Sequence, residues 1–150
     1  MHFQTVKERF SGELWTQDAD AEKKYGINRV QSVAKPGLST DKNIIHQGEN
    51  SGYQAINLAY HLGVKRILLL GYDMGYEGQR HFFGEHPQPL GQSSDYPKLR
   101  KNFSTIIPDE YGIEIYNCSR KTWLECFPRV DFDDAISSCI GHRAKLKESA

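Results

Sequence analysis

NIIHQGENSGYQAINLAYHLGVKRILLLGYDM, residues 43–74, is the stretch whose reading decides the fold. Asn50 or Ser51 can cap a helix in which Ala55, Leu58, Ala59 and Leu62 recur at i, i+3, i+4 and i+7, forming one apolar stripe. Gly63 ends that helix, and Arg66 begins a short strand. The run ILLL within it has no polar alternation, as expected of a strand covered by helices on both faces of a parallel sheet. A capped amphipathic helix feeding a fully apolar strand predicts an α/β domain.

The flanks read the same way. Residues 1–10 suit a short helix and GELWT a strand; Asp18 can cap the helix ADAEKKY, Gly26 fits its C′ position, and INRVQSV alternates as a half-exposed strand does. Pro36 and Gly37 punctuate a loop before Asn43. Beyond Gly71 a Gly-, Pro- and His-rich stretch runs to Gly91 and predicts a long irregular loop, the kind that tends to be functional. A helix is expected from about Tyr96 to Ile107, a strand from Ile113 to Tyr116, and a last helix from Asp131 to Cys139 before a frayed tail over 140–150.

A chain of 150 residues with 38% hydrophobic and 25% charged content predicts one globular domain with a single core. Nineteen basic residues balance 19 acidic ones, which removes the summed positive field that draws nucleic acid or an anionic membrane. The longest apolar run, Ile67 to Leu70, is far short of the roughly 20 residues that span a bilayer. The start MHFQTVKERF lacks the apolar stretch of a signal peptide, so a cytoplasmic location is expected. Cys118, Cys126 and Cys139 lack the paired spacing of a zinc site and read as reduced, buried thiols.

Ligands of open parallel sheets bind outside the carboxyl ends of the strands, where loops diverge and helix amides point into the crevice. GENSG, GYDM and NCS are expected to converge there. Gly48 to Gly52 offers a glycine-flanked helix N-terminus for a phosphate or carboxylate, and equally reads as simple capping. Asp73 can accept hydrogen bonds from a ribose or hold Mg²⁺, and equally reads as a turn aspartate bonded to its own backbone. In HFFGEHP, His81 and His86 can act as general base or, with Glu85, as metal ligands; solvent-exposed loop histidines are the alternative. The spacing of the two histidines is not that of a zinc helix, and neither zinc nor haem is expected. Tyr53, Tyr72 and Tyr76 can stack on a base or pack in the core.

The run NSGYQAINLAYHLGVKRILLLGYDM, followed by HFFGEHP and GIEIYNCSRKTWLECFPR, resembles a group of phage and prophage proteins of uncharacterised function. That group in turn is similar to the MptE-like 6-hydroxymethylpterin diphosphokinases and to one family of bacterial sialyltransferases. The resemblance covers most of the chain, from GELWTQD to FPRVDF, and is most specific between Asn50 and Asp73. It implies a three-layer Rossmann-like domain with a mostly parallel sheet, and a nucleotide or nucleotide-sugar ligand held by Asn50, Ser51, Gly52 and Asp73, with Asn117 and Ser119 closing the pocket. It also implies a general-base role for His86 or His81. The relatives' first strand and its glycine-containing turn have no counterpart before Phe10, so the chain is expected to start partway through the fold. Two functions follow: a transferase acting on a nucleotide-type ligand, or a non-catalytic phage assembly protein that keeps the fold. Either the site is incomplete and the protein an inactive remnant, or a second copy or a partner chain completes the sheet.

Overall fold

The computed structural model describes residues 3–75 and 94–138. Helix α1 spans Phe3–Arg9, followed by β1 (Trp15–Thr16), α2 (Ala19–Tyr25), β2 (Asn28–Arg29), β3 (Gln31–Val33) and β4 (Ile44–His46). Then come α3 (Ser51–His61), β5 (Arg66–Leu69), α4 (Tyr96–Phe103), α5 (Pro108–Tyr111) and β6 (Glu114–Asn117), with residues 132–138 again helical. The caps are those the sequence predicts. Asp18 accepts the Asp20 and Ala21 amides, Gly26 closes α2 at φ 64, and Asn50 caps α3.

Among the described residues all strand pairing is parallel, which makes the class α/β, but the strands form three two-stranded pairs and not one continuous sheet. Two of the pairs share a run. The amides of Asn28 and Val30 reach back to the Leu14 and Thr16 carbonyls, whereas Gln31 donates to the Asn43 carbonyl. Successive amides of an extended chain point to opposite edges, so β1 lies along one side of residues 28–33 and β4 along the other. β6 is likewise flanked twice, by β5 and by a parallel bridge between Asn117 and Arg129. Among the described residues no ladder joins β4 to β5.

The main core packs α3 and α4 against the β5–β6 pair. Phe103 is fully buried at its centre, with the rings of Tyr53, Tyr72 and Phe127 set edge-on at 5.4, 5.9 and 6.5 Å. Leu38, Ile56, Leu69, Ile106 and Ile115 complete it.

Three expectations are corrected. The buried face of α3 is Tyr53, Ile56 and Asn57, with Tyr60 packed against the core; Ala55 is exposed and Leu62 is 58% exposed. The large Tyr and Ile side chains bury more area than the alanines of the predicted stripe, and so decide which face turns inward. β5 is not covered on both faces among the described residues: Leu69 is buried and Ile67 packs on the core, but Leu70 is 56% exposed. The helix expected to reach Ile107 stops at Phe103, because Pro108 forces the residue before it into an extended conformation (Ile107 φ −103, ψ 100).

Among the described residues no helix is long and apolar enough to cross a membrane.

Candidate functional site

β5, β6 and the bridging segment at Arg129 end side by side, and the residues beyond all three ends line one cleft of about 980 Å³. Leu70, Gly71 and Asp73 enter it from β5, Cys118 to Lys121 from β6, and Arg129 to Asp133 from the third segment. This is the carboxyl edge of a small parallel sheet, where loops diverge and leave room for a ligand.

The Asp73 loop is held by its three successive carbonyls and by the Tyr72 amide. The Tyr72 amide donates to Ser119 Oγ (2.9 Å), its carbonyl accepts from Thr122 Oγ1 (2.7 Å), and its hydroxyl donates to the Gly52 carbonyl (3.1 Å). The Asp73 carbonyl accepts from the Trp123 amide (2.8 Å) and the Met74 carbonyl from Arg100 Nη1 (2.8 Å). Met74 stands at φ 51, a left-handed conformation that costs a non-glycine residue about 1 kcal/mol or more. Against this pinned backbone the exposed Asp73 carboxylate has no hydrogen-bond or ion-pair partner among the described residues.

Across the cleft the charges are mixed: Arg120, Lys121 and Arg129 against Asp73, Asp131 and Asp133. Some are already engaged. Arg129 Nη2 donates to the Ser119 and Arg120 carbonyls at 3.3 and 3.1 Å, holding that turn closed, and Asp131 caps the amides of Asp133 and Asp134. Arg120 is exposed, and Phe132 presents a ring that is 40% exposed. Burial pushes the Cys118 thiol up, with the Asp131 charge adding to the shift, so this cysteine is no thiolate nucleophile.

The predicted residues divide into three groups. Asp73 and Ser119 line the cleft. Ser119 is 4% exposed and its hydroxyl accepts the Tyr72 amide, which leaves its proton to donate. Asn117 is adjacent but fully buried; its Oδ1 accepts the Ser119 amide and its Nδ2 donates to Thr122 Oγ1 and the Leu124 carbonyl, so it shapes the loop without facing a ligand.

Asn50, Ser51 and Gly52 do not line the cleft. The Gly52 and Tyr53 amides are taken by Asn50 Oδ1, at 2.8 and 3.2 Å, so the capping reading of this helix start is the one realised. A Cβ on Gly52 would lie 2.8 Å from the Tyr72 ring, which explains the glycine by close packing. His81 and His86 lie outside the described residues. Among the described residues no group of three His, Cys, Asp or Glu side chains is placed to hold a metal.

Sequence reading missed Arg120, Lys121, Arg129 and Phe132. The Arg-Lys pair directly after NCS was a usable signal; Arg129 and Phe132 depend on the third parallel segment, which Pro128 hides. A smaller hollow of about 250 Å³ lies at the ends of β3 and β4, lined in part by Lys35, Gln47 and Glu49.

Comparisons with protein-family models, with curated proteins and with solved structures give no match to this chain.

Proposed function

We propose that the chain is a Rossmann-like domain that binds a nucleotide or nucleotide-sugar in the cleft beyond β5 and β6, as a glycosyltransferase-like or pyrophosphoryl-transferring enzyme of phage or prophage type. The observation that carries the reading is the Asp73 carboxylate, without a partner among the described residues, which a loop with its carbonyls held presents into a cleft that the exposed Arg120 also lines. The chemistry of the lining matches such a ligand in parts. Asp73 accepts hydrogen bonds from ribose hydroxyls, Arg120 and Lys121 take the phosphates, and the open face of Phe132 stacks on the base.

In a transfer from a nucleotide-sugar, His86, or His81 in its place, removes the proton from the acceptor hydroxyl. The acceptor oxygen bonds to the sugar, the bond from sugar to phosphate oxygen breaks, and the nucleotide leaves with the electron pair beside Arg120. Among the described residues no group of three His, Cys, Asp or Glu is placed to hold Mg²⁺, so Mg²⁺ enters with the ligand's phosphates and Asp73 serves as hydroxyl acceptor.

A thermal-shift and calorimetry panel of CMP, CDP, ATP and CMP-sugars, with and without Mg²⁺, tests this. A ligand at 100 times its dissociation constant adds about 2.7 kcal/mol of stability. Asp73→Asn should then weaken binding, and His86→Ala should preserve binding while abolishing turnover. No shift with any ligand would reject the reading.

A second reading, a non-catalytic assembly protein, is favoured by one observation. The α3 amides that would have taken a phosphate are already spent on Asn50. Under that reading a second copy or a partner chain sits on the exposed Leu62, Val64 and Leu70, and light scattering reports a concentration-dependent mass while the nucleotide panel stays silent.

A further inference from the structure

Asp73 stands between two residues that one helix grips. On its amino side, the Tyr72 ring packs edge-on against Phe103 of α4, with centroids 5.9 Å apart and planes at 82°. On its carboxyl side, the Met74 carbonyl accepts from Arg100 of the same helix at 2.8 Å. Arg100 and Phe103 are three residues apart and therefore share a helix face, so the two contacts form a clamp one turn long around a single aspartate. Phe103 is fully buried and Arg100 half-buried, which fixes the clamp to the core.

We propose that Arg100 is a positioning residue of the cleft: its bond to the Met74 carbonyl holds Met74 in its left-handed conformation and thereby aims the Asp73 carboxylate. A non-glycine residue at φ 51 persists only where its surroundings over-determine it. Aromatic packing at Tyr72 fixes only the near end of the turn. The charge-assisted bond from Arg100 fixes the far end together with the packing of the Met74 side chain on the core, and the Trp123 amide on the Asp73 carbonyl closes the loop between them. Arg100 does not line the cleft, so it acts on a ligand only through Asp73.

Lys98 and Asn102, also on α4, hold a different turn, through Glu49 at 2.8 Å and the Gly48 carbonyl at 2.9 Å, and so serve as internal controls.

The test is amide hydrogen exchange on Arg100→Met, which keeps the apolar stem and removes the donor. Exchange at Trp123 should accelerate about tenfold or more, as losing a bond to a charged donor implies, while exchange at Cys118, whose amide bonds the Leu69 carbonyl inside the sheet, stays at the native rate. Lys98→Met should leave both rates unchanged. Equal acceleration at Trp123 and Cys118 would mean that Arg100 supports the whole fold, and an unchanged Trp123 rate would mean that it holds nothing; either overturns the assignment.

The consequence for binding rests on the function proposed above. If the native chain binds one of the nucleotides, Arg100→Met should weaken that binding about tenfold and Lys98→Met should not; equal affinity in Arg100→Met overturns the positioning role in binding. If the native chain binds none, the ligand reading fails, and the exchange rates still decide the role of Arg100.

Discussion

Asn57 is the most consequential polar residue in the interior. It is fully buried; its Oδ1 accepts the amides of Ser39 (2.8 Å) and His46 (2.9 Å), and its Nδ2 donates to the Ser39 carbonyl. One carboxamide thus ties α3 to β4 and to the loop before it. Asn57→Ala strands two backbone amides in the core at once, at about 1–3 kcal/mol for each buried group left unsatisfied. Urea denaturation should show a loss of at least 2 kcal/mol, and a loss under 1 kcal/mol would mean that water replaces the bonds. Gly52 acts by what it lacks. Gly52→Ala drives a methyl into the Tyr72 ring and Asn50 Oδ1, and should cost about 1–3 kcal/mol as overpacking does, although alanine is the better helix former. A Gly52→Ala protein more stable than the native chain would show that Tyr72 yields freely.

At the scale of the element, the start of α3 is closed by Asn50, whose removal in Asn50→Ala should lower stability by about 1 kcal/mol in thermal melts. The same substitution frees the Gly52 and Tyr53 amides. Such caps were readable in the sequence because they depend on residues two or three positions apart; Asp18, Gly26 and Asn50 all stand where local chemistry puts them. The inward face of α3 was not readable. Counting apolar residues chose the alanine stripe, whereas packing chose Tyr53, Ile56 and the polar Asn57, whose partners Ser39 and His46 come from elsewhere in the chain. The site divides in the same way. Asp73 and Ser119 were legible because they directly follow strands, but Arg129 and Phe132 owe their place to a single bridge at Asn117, which no local pattern announces.

For the whole molecule, the shifted groups make alkaline pH the weak side. Burial pushes the Cys126 thiol from 9.0 up to about 11, and raises the Cys118 thiol and the Tyr53 and Tyr72 hydroxyls. Each stays protonated when folded at a pH where the unfolded chain releases its proton. The contribution of Cys126 is therefore complete below about pH 9 and is lost as pH rises towards about 11, and the other three groups lose theirs in the same direction. The melting temperature should fall steadily between pH 9 and pH 11; a flat profile would contradict the burial of these groups. At pH 8 neither Cys118 nor Cys126 should react with a thiol reagent until the chain is unfolded. The missing ladder between β4 and β5 has a mechanical meaning. The two sets of strands are joined through α3, whose Tyr53 and Ile56 enter the Phe103 core while its Asn57 holds β4, so the domain has a fault line along which loss of the Asn57 carboxamide should let the halves part before either ribbon frays.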